Sequence, residues 1–313
     1  MPAVPKSSRE AVYLLGRSFN SFIDDDCLDL GASVAYFSVF SLAPLLLTVV
    51  AVAGLFYGRV AVQDRIHLQM ESLVGTLAAD QVQLMLQNQA KSESTSLIMS
   101  MIGVTILLFG ATGCFAALQN ALNRVWHVKP NPKIGGVRAF LVKRLWSFGM
   151  ILALVFLMIV SLVLGAALAA LGDWARAFLP AGLSTTLLQI AGTTVSVVVL
   201  TLLFGAMFRV LPDAKIAWRD VWFGGLITSI LFTTGQTALA IYLGRSALVS
   251  VYGAAGSLML IVLWLYYTSL IVLFGAEWTR AWAITHGRYV EPEPGAVEVV
   301  TTEHVRPASK TAP

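Results

Sequence analysis

Polar and charged side chains interrupt several long apolar stretches of this 313-residue sequence, and their types and spacing can do chemistry. Gln119 and Asn123 lie one helical turn apart, Gln236 lies at the middle of a later stretch, and Glu277 precedes Arg280 by three residues. Amide and carboxylate groups are costly in apolar surroundings, so they turn towards a protein interior or a cavity. There they can bind a proton, a cation or the polar part of a ligand.

Each of these groups also has a purely structural interpretation. Glu277 and Arg280 can form a local ion pair, since residues three apart are neighbours on a helix. Alternatively, Glu277 faces the helix bundle and binds a cation, a proton or a substrate amine. Gln236, among Thr233, Thr234 and Thr237, can hydrogen-bond a neighbouring helix or a ligand. The sequence leaves both pairs of alternatives open.

Signatures of enzymatic chemistry are missing from the sequence. The four histidines are isolated, so they predict neither an HExxH motif nor a metal site, and there is no P-loop or GxSxG elbow. The two cysteines, Cys27 and Cys114, form no CxxC pair. We therefore expect no catalytic activity, no bound metal and no cofactor.

The elements that position the polar groups are long and uncharged. Hydrophobic residues make up 57% of the chain and charged residues only 12%, against roughly a quarter in soluble domains. A transmembrane helix needs about 20 apolar residues. The sequence predicts an all-α, polytopic membrane protein with six transmembrane helices plus amphipathic surface helices. The six charge-free windows are 31–57, 96–123, 145–172, 177–208, 221–244 and 246–276.

Lys and Arg residues predict the orientation of these helices through the positive-inside rule. Sixteen of the 21 Lys and Arg residues fall in the two terminal segments and in the connections after the second and fourth windows. We therefore expect both termini on the cytoplasmic side of a bacterial inner membrane.

Segments outside the windows complete the predicted organisation. Residues 1–30 predict a cytoplasmic amphipathic helix that ends at the acidic run Asp24–Asp26, and residues 31–284 form the six-helix domain. The extracytoplasmic loop 58–95 has apolar residues at helical spacing, which suits either packing against the bundle or a lid over a cavity. Residues 285–313 are rich in proline and charge and are predicted to be a disordered cytoplasmic tail.

The first window contains Pro44, which cannot donate a backbone hydrogen bond and so predicts a kink near Phe40. Broken or kinked helices recur at the substrate sites of transporters. Together with the polar groups in the other windows, this gives eight candidates for a substrate path: Tyr36, Pro44, Gln119, Asn120, Asn123, Gln236, Tyr267 and Glu277.

The connection 124–144 carries six cations and no acidic residue. It either binds anionic phospholipid at the cytoplasmic leaflet, at about 1 kcal/mol per cation, or only determines topology. A nucleic-acid partner is not expected, because no aromatic stacking platform accompanies the charge. The candidates for contact with anionic lipid are Lys129, Lys133, Arg138, Lys143 and Arg144.

Four motifs in order resemble the YihY/BrkB family of bacterial inner-membrane proteins over about residues 10–285. They are GASVAYF at 31–37 leading to SLAP at 41–44, LQNALNRVW at 118–126, RVLP at 209–212, and YGAAGS at 252–257 leading to GAE at 275–277. The resemblance implies a six-helix inner-membrane protein. Members once carried a ribonuclease BN label, which the missing metal ligands and acid–base pairs argue against.

What the resemblance implies for function concerns the bacterial envelope and its lipids. One branch is linked to serum resistance, and another is proposed to move a lipopolysaccharide precursor. The leading hypothesis is therefore a transporter or flippase-like protein for an envelope lipid or another amphiphile, with membrane lipids as partners. The competing hypothesis is a structural or scaffolding membrane protein that organises envelope partners. The sequence predicts no oligomeric state.

Overall fold

The computed structural model describes residues 8–41, 113–131, 181–245 and 254–299 apart from 289 and 294, with isolated positions between 58 and 84. The predicted third span 145–172, most of the loop 58–95 and residues 300–313 lie outside the described residues. We number the described elements in chain order. The helices are α1 (Ser8–Asp24), α2 (Cys27–Ser41), α3 (residues 113–125), α4 (Ala181–Val210), α5 (Trp218–Arg245) and α6 (Ala254–Thr285). The strands are β1 (Val128–Pro130), β2 (Ala214–Lys215), β3 (Glu291–Pro292) and β4 (Ala296–Glu298).

The described residues are mostly helical, which agrees with the all-α prediction. Two stretches among them are long and apolar enough to cross a membrane, Ala191–Val210 of α4 and Met259–Thr285 of α6, and α2 is a shorter apolar helix. Helix α5 covers the predicted span 221–244, while α2 and α3 cover only parts of the first two predicted spans. The count of six spans therefore stays a prediction.

Helix α1 is amphipathic, and its wider apolar face points away from the bundle. A narrow face that includes Leu14 and Phe22 is buried, and the Phe22 ring contacts Phe274 of α6 edge-on at 6.0 Å between centroids. The opposite face is exposed, with apolar side chains at the helical spacing expected of a surface helix. These exposed residues are Val12, Leu15, Phe19 and Ile23.

A two-residue turn joins α1 to α2. Asp26 adopts a positive φ of 56°, a conformation that Asp and Asn tolerate better than most residues. Its carbonyl then accepts the first backbone hydrogen bond of α2, from the N–H of Leu30 at 3.1 Å. Helix α3 runs antiparallel to α2. Near the end of α2, Ser38 Oγ lies 3.1 Å from Cys114 Sγ at the start of α3, and at the other end of the pair Arg124 lies 3.6 Å from Asp26. The Phe37 ring fills the space beside Gly113.

Helices α4, α5 and α6 pack through small residues, as close helix contacts in membranes generally do. A Cβ on Gly225 of α5 would lie 2.6 Å from the carbonyl oxygen of Thr201 in α4, so these two backbones touch. Between α5 and α6 the contact is reciprocal: Thr279 lies against Gly224, and Thr228 lies against Gly275. Both threonine hydroxyls donate to the carbonyl four residues before them in their own helix, at 2.7 Å.

The turn between α4 and α5 follows Val210 and contains Pro212, which cannot continue a helix. Arg209 fixes this turn, because its guanidinium donates to the carbonyl of Ile216 and stacks over the Trp218 ring at 4.9 Å. Strand β2 lies within this turn and follows Asp213 directly.

The C-terminal segment 291–298 returns across the same end of the bundle. Strand β3 pairs antiparallel with β2, and β4 pairs antiparallel with β1. Arg288 adds an ion pair with Asp220 at the start of α5. We call this end of the bundle, where the α1–α2 turn, the end of α3, the α4–α5 turn and segment 291–298 meet, the loop end.

The ordered strands differ from the prediction of a disordered tail at 285–313. The prediction rested on the low apolar content of this segment, which is too small for it to fold alone. They are ordered because β1 and β2 supply backbone hydrogen-bond partners, a long-range pairing that local composition does not report.

Candidate functional site

Glu277 lies inside the bundle near the loop end, and only 1% of its side chain is exposed. Its Oε2 lies 3.8 Å from Nη1 of Arg280. The local ion pair and the inward orientation therefore occur together. On the other oxygen, Oε1 lies 4.0 Å from the buried Cys27 Sγ at the start of α2. The carboxylate thus joins α6 to the first residue of α2.

Asp25 is the centre of a wider cluster of charges. Its carboxylate lies 2.9 Å from His127 Nε2, 3.5 Å from Arg280 Nη1 and 3.7 Å from Arg124 Nε. Only 10% of the Asp25 side chain is exposed, so three basic groups compensate a nearly buried anion. We call Asp25, Arg124, His127, Glu277 and Arg280 the charge network.

The hydrogen bonds of His127 assign its tautomer. Arg280 Nη2 donates to His127 Nδ1 at 3.0 Å, and an arginine has donors only. Nδ1 must therefore be unprotonated, which leaves the proton on Nε2 to be donated to Asp25. His127 thereby links Arg280 to Asp25.

The backbone of His127 is held in an uncommon conformation that aims the ring at Asp25. Its φ is 51°, in the left-handed region that few residues other than glycine adopt. The His127 carbonyl accepts a hydrogen bond from the N–H of Val299, at 2.8 Å, just after β4. The returning C-terminal segment therefore stabilises the geometry of the charge network.

Gln119 and Asn123 bind the α4–α5 turn. Asn123 Nδ2 donates to Asp213 Oδ2 at 2.8 Å, and the Asp213 N–H donates to Asn123 Oδ1 at 2.8 Å. Gln119 Nε2 donates to the carbonyl of Leu211 at 3.1 Å. Two of the predicted substrate-path residues thus clamp a turn, because the Leu211–Asp213 backbone would otherwise carry buried groups without partners.

A groove of about 360 Å³ opens beside the charge network, between the α1–α2 turn, α3 and β1. Asp26, Arg124 and Lys129 surround its mouth, while Leu30 and Asn120 lie about one helical turn further along α2 and α3. Asn120 is exposed into this space, in contrast to the buried Asn123. The remaining lining residues are Asp25, Asn123, Val128 and Pro130.

The other predicted candidates lie elsewhere. Tyr36 is 59% exposed and packs edge-on and tilted against Phe37 and Phe40 on the outer face of α2. Tyr267 lies against Gly235 of α5, next to the half-buried Gln236. Tyr267 is ten residues before Glu277, about 15 Å along the helix. The structure does not bring these residues to the groove.

Several sequence-predicted residues lie outside the described part of the chain: Pro44, Lys133, Arg138, Lys143 and Arg144. Of the predicted lipid-contact residues, the structure therefore describes only Lys129. Within the described ranges, no three His, Cys, Asp or Glu side chains are arranged to hold a metal ion.

Sequence reasoning missed Asp25, Arg124 and His127 as site residues. Asp25 was visible as part of an acidic run at a predicted helix end, next to an otherwise apolar window. His127 follows the LQNALNRVW motif directly, and that position was the available signal.

The family model described as virulence factor BrkB matches residues 18–298. A UPF0761 membrane protein of Legionella pneumophila is 26% identical over 85% of this chain and 61% of its own length, and one of Alteromonas mediterranea is 26% identical over 79% of each chain. A Bacillus subtilis relative, named ribonuclease-like protein YfkH, is 25% identical over 79% of this chain and 86% of its own length.

The chain spans about three fifths of the length of the first of these curated relatives. No solved structure gives a significant match to the chain.

Proposed function

The chain belongs to the virulence factor BrkB family of bacterial membrane proteins, and from this premise we propose that it is a transporter or flippase-like protein of the inner membrane. Its substrate class is an envelope lipid or another amphiphile. The proposal assigns no catalytic chemistry to the chain. The observation that carries it is the groove, which joins a charged mouth to an apolar wall at the ends of two antiparallel helices.

The arrangement of helix ends supports a multi-pass topology with this groove at the cytoplasmic surface. Helices α2 and α5 begin at the loop end, whereas α3, α4 and α6 finish there. This is the alternation that the predicted spans require if both termini are cytoplasmic. The loop end also carries Arg124, Lys129, Arg209 and Lys215, as the positive-inside rule expects.

An amphiphile fits this position physically. Its polar head group can replace water at the mouth beside Asp26, Arg124 and Lys129, while its chains lie along Leu30 and the apolar outer surfaces of the helices. Ionisable residues that face the interior of a membrane protein often mark substrate or ion pathways. The charge network borders the groove directly, because Asp25 belongs both to the network and to the groove lining.

The experiment is lipid exchange between leaflets in reconstituted vesicles, followed by chemical quenching of fluorescent lipids in the outer leaflet. Asn120→Trp should block the groove and slow exchange about tenfold or more, equivalent to at least about 1.4 kcal/mol in the barrier. Ala116→Trp is the matched control, because Ala116 is exposed on the same helix but does not line the groove. Wild-type protein that fails to accelerate exchange for several head groups would remove the proposal.

The second candidate is a structural or scaffolding membrane protein, which the exposed apolar face of α1 favours. It predicts that neutralising Lys129, Lys133 and Arg138 abolishes function while Gln236→Ala and Glu277→Gln leave it intact. The transporter proposal predicts the reverse for Glu277, since Glu277→Gln replaces the buried acid that contacts Arg280 and Cys27 beneath the groove.

A further inference from the structure

The two cations at the mouth of the groove, Arg124 and Lys129, keep hydrogen-bond donors that no partner among the described residues occupies. Lys129 is exposed and forms no ion pair there. Arg124 reaches Asp25 and Asp26 only at 3.7 and 3.6 Å, longer than the 2.7–2.9 Å of a direct charge-assisted hydrogen bond. Both side chains can therefore donate to an additional anion.

An exposed carboxylate faces the same mouth. The Asp26 side chain is 68% exposed, and Arg124 at 3.6 Å is its ion-pair partner in the described structure. Asp25, by contrast, is committed to His127 and Arg280. The mouth thus presents two cations and one available anion, with the exposed Asn120 amide one helical turn away along α3.

From this pattern we infer that the groove binds the head group of a zwitterionic phospholipid with a primary amine, its phosphate on Arg124 and Lys129 and its ammonium on Asp26. This inference rests on the proposed function and names its substrate class. An anionic head group without an amine would leave the Asp26 carboxylate facing another anion, which is unfavourable. A purely cationic ligand would meet two like charges.

The lining also distinguishes a primary from a quaternary amine. An ammonium group has three N–H donors for a carboxylate, whereas a choline group has none. Quaternary ammonium groups are recognised by aromatic faces, and none of the described residues that line the groove is aromatic. The volume of about 360 Å³ suits a head group, with the acyl chains outside the groove.

The test is native mass spectrometry of the full chain in detergent, titrated with phosphatidylethanolamine, phosphatidylcholine and phosphatidylglycerol of identical acyl chains. We expect phosphatidylethanolamine to bind about tenfold more tightly than either of the others, since each comparison removes one charge-assisted contact. Equal affinities for the three lipids would overturn the inference.

Two variants test which side chain binds the amine and which binds the phosphate. Asp26→Asn should weaken phosphatidylethanolamine selectively and bring its affinity close to that of phosphatidylglycerol, and asparagine tolerates the positive φ of this position. Lys129→Met should weaken both lipids. The matched control is Lys215→Met, because Lys215 is also exposed on a short strand but pairs with Glu291 away from the groove. An unchanged lipid preference in Asp26→Asn would contradict the assignment.

Competition with the free head group distinguishes a lipid ligand from a soluble ligand. Glycerophosphoethanolamine carries the same phosphate and amine without acyl chains, and we expect it to compete only weakly. Competition as strong as that of the lipid would overturn the lipid assignment. Selective binding without exchange between leaflets would remove the proposed transport but leave this inference standing, and exchange without selective binding would do the opposite.

Discussion

The reciprocal glycine–threonine contact between α5 and α6 allows a prediction of its own. Gly275 of α6 lies against the Thr228 side chain of α5, and a Cβ at position 275 would overlap the Thr228 hydroxyl. Gly275→Ala therefore adds one methyl group to a contact that has no room for it. Thr228→Ala removes the obstructing group and should restore the space.

The size of the effect follows from the neighbouring atoms. The added Cβ would lie 3.0 Å from Thr228 Cβ and 3.1 Å from Phe208 Cζ, short of an ordinary contact of 3.4–4 Å. Thr228 cannot rotate away without losing its hydrogen bond to the carbonyl of Gly224. We expect Gly275→Ala to destabilise the protein by about 1–3 kcal/mol, as overpacking of a tight contact does. The double variant Gly275→Ala/Thr228→Ala should recover at least about 1 kcal/mol of this loss.

The assay is thermal unfolding of the purified protein in detergent, measured for the two single variants and the double variant. Gly192→Ala serves as the control, because Gly192 lies in α4 with no atom within 4 Å of its added Cβ. It should leave the melting temperature unchanged or raise it, since alanine favours a helix over glycine. Additive effects in the double variant, or a Gly275→Ala protein as stable as wild type, would refute the packing argument.

Two further predictions concern charges at the loop end. Arg280→Met should lower the free energy of unfolding by about 1–3 kcal/mol, because it removes one of the three basic partners of the buried Asp25 carboxylate and the local partner of Glu277; thermal unfolding that matches wild type would contradict this. Burial raises the pKa of the Asp220 carboxyl above its ordinary 3.8, with Arg288 and His286 opposing the rise. A raised pKa contributes stability that is full below about pH 3.8 and is lost as the pH rises through the folded-state pKa. Between pH 4 and 7, wild type should therefore lose stability relative to Asp220→Asn, and parallel pH profiles of melting temperature would refute the assignment.

The sequence pattern predicted those features of the fold that depend on neighbouring residues. The uncharged windows predicted helices where α4, α5 and α6 occur, because helix formation and apolar composition are read over adjacent residues. Gly224 and Gly275 lie at close helix contacts, as small residues in membrane helix packing generally do. The comparisons confirm the family resemblance that the four motifs indicated.

The candidate site depended on contacts that are distant in sequence. Asp25 and His127 are 102 residues apart, so neither pattern nor spacing connects an acidic helix end with an isolated histidine. Gln119 and Asn123 were predicted to line a substrate path because they are polar within an apolar stretch. The structure shows instead that both side chains bind the α4–α5 turn, 90 and more residues away in the sequence. Polarity predicted that these residues face inward, but not what they bind.

Segment 291–298 ties β1, which follows α3, to β2, which precedes α5. The ends of these helices at the loop end are thereby linked through one short stretch of backbone, and the N–H of Val299, directly after this segment, donates to the carbonyl of His127. When the helices tilt relative to one another, they rotate about these linked ends, and the displacement of each helix grows with distance from the loop end. A wide opening between these helices must consequently form at the ends opposite the loop end.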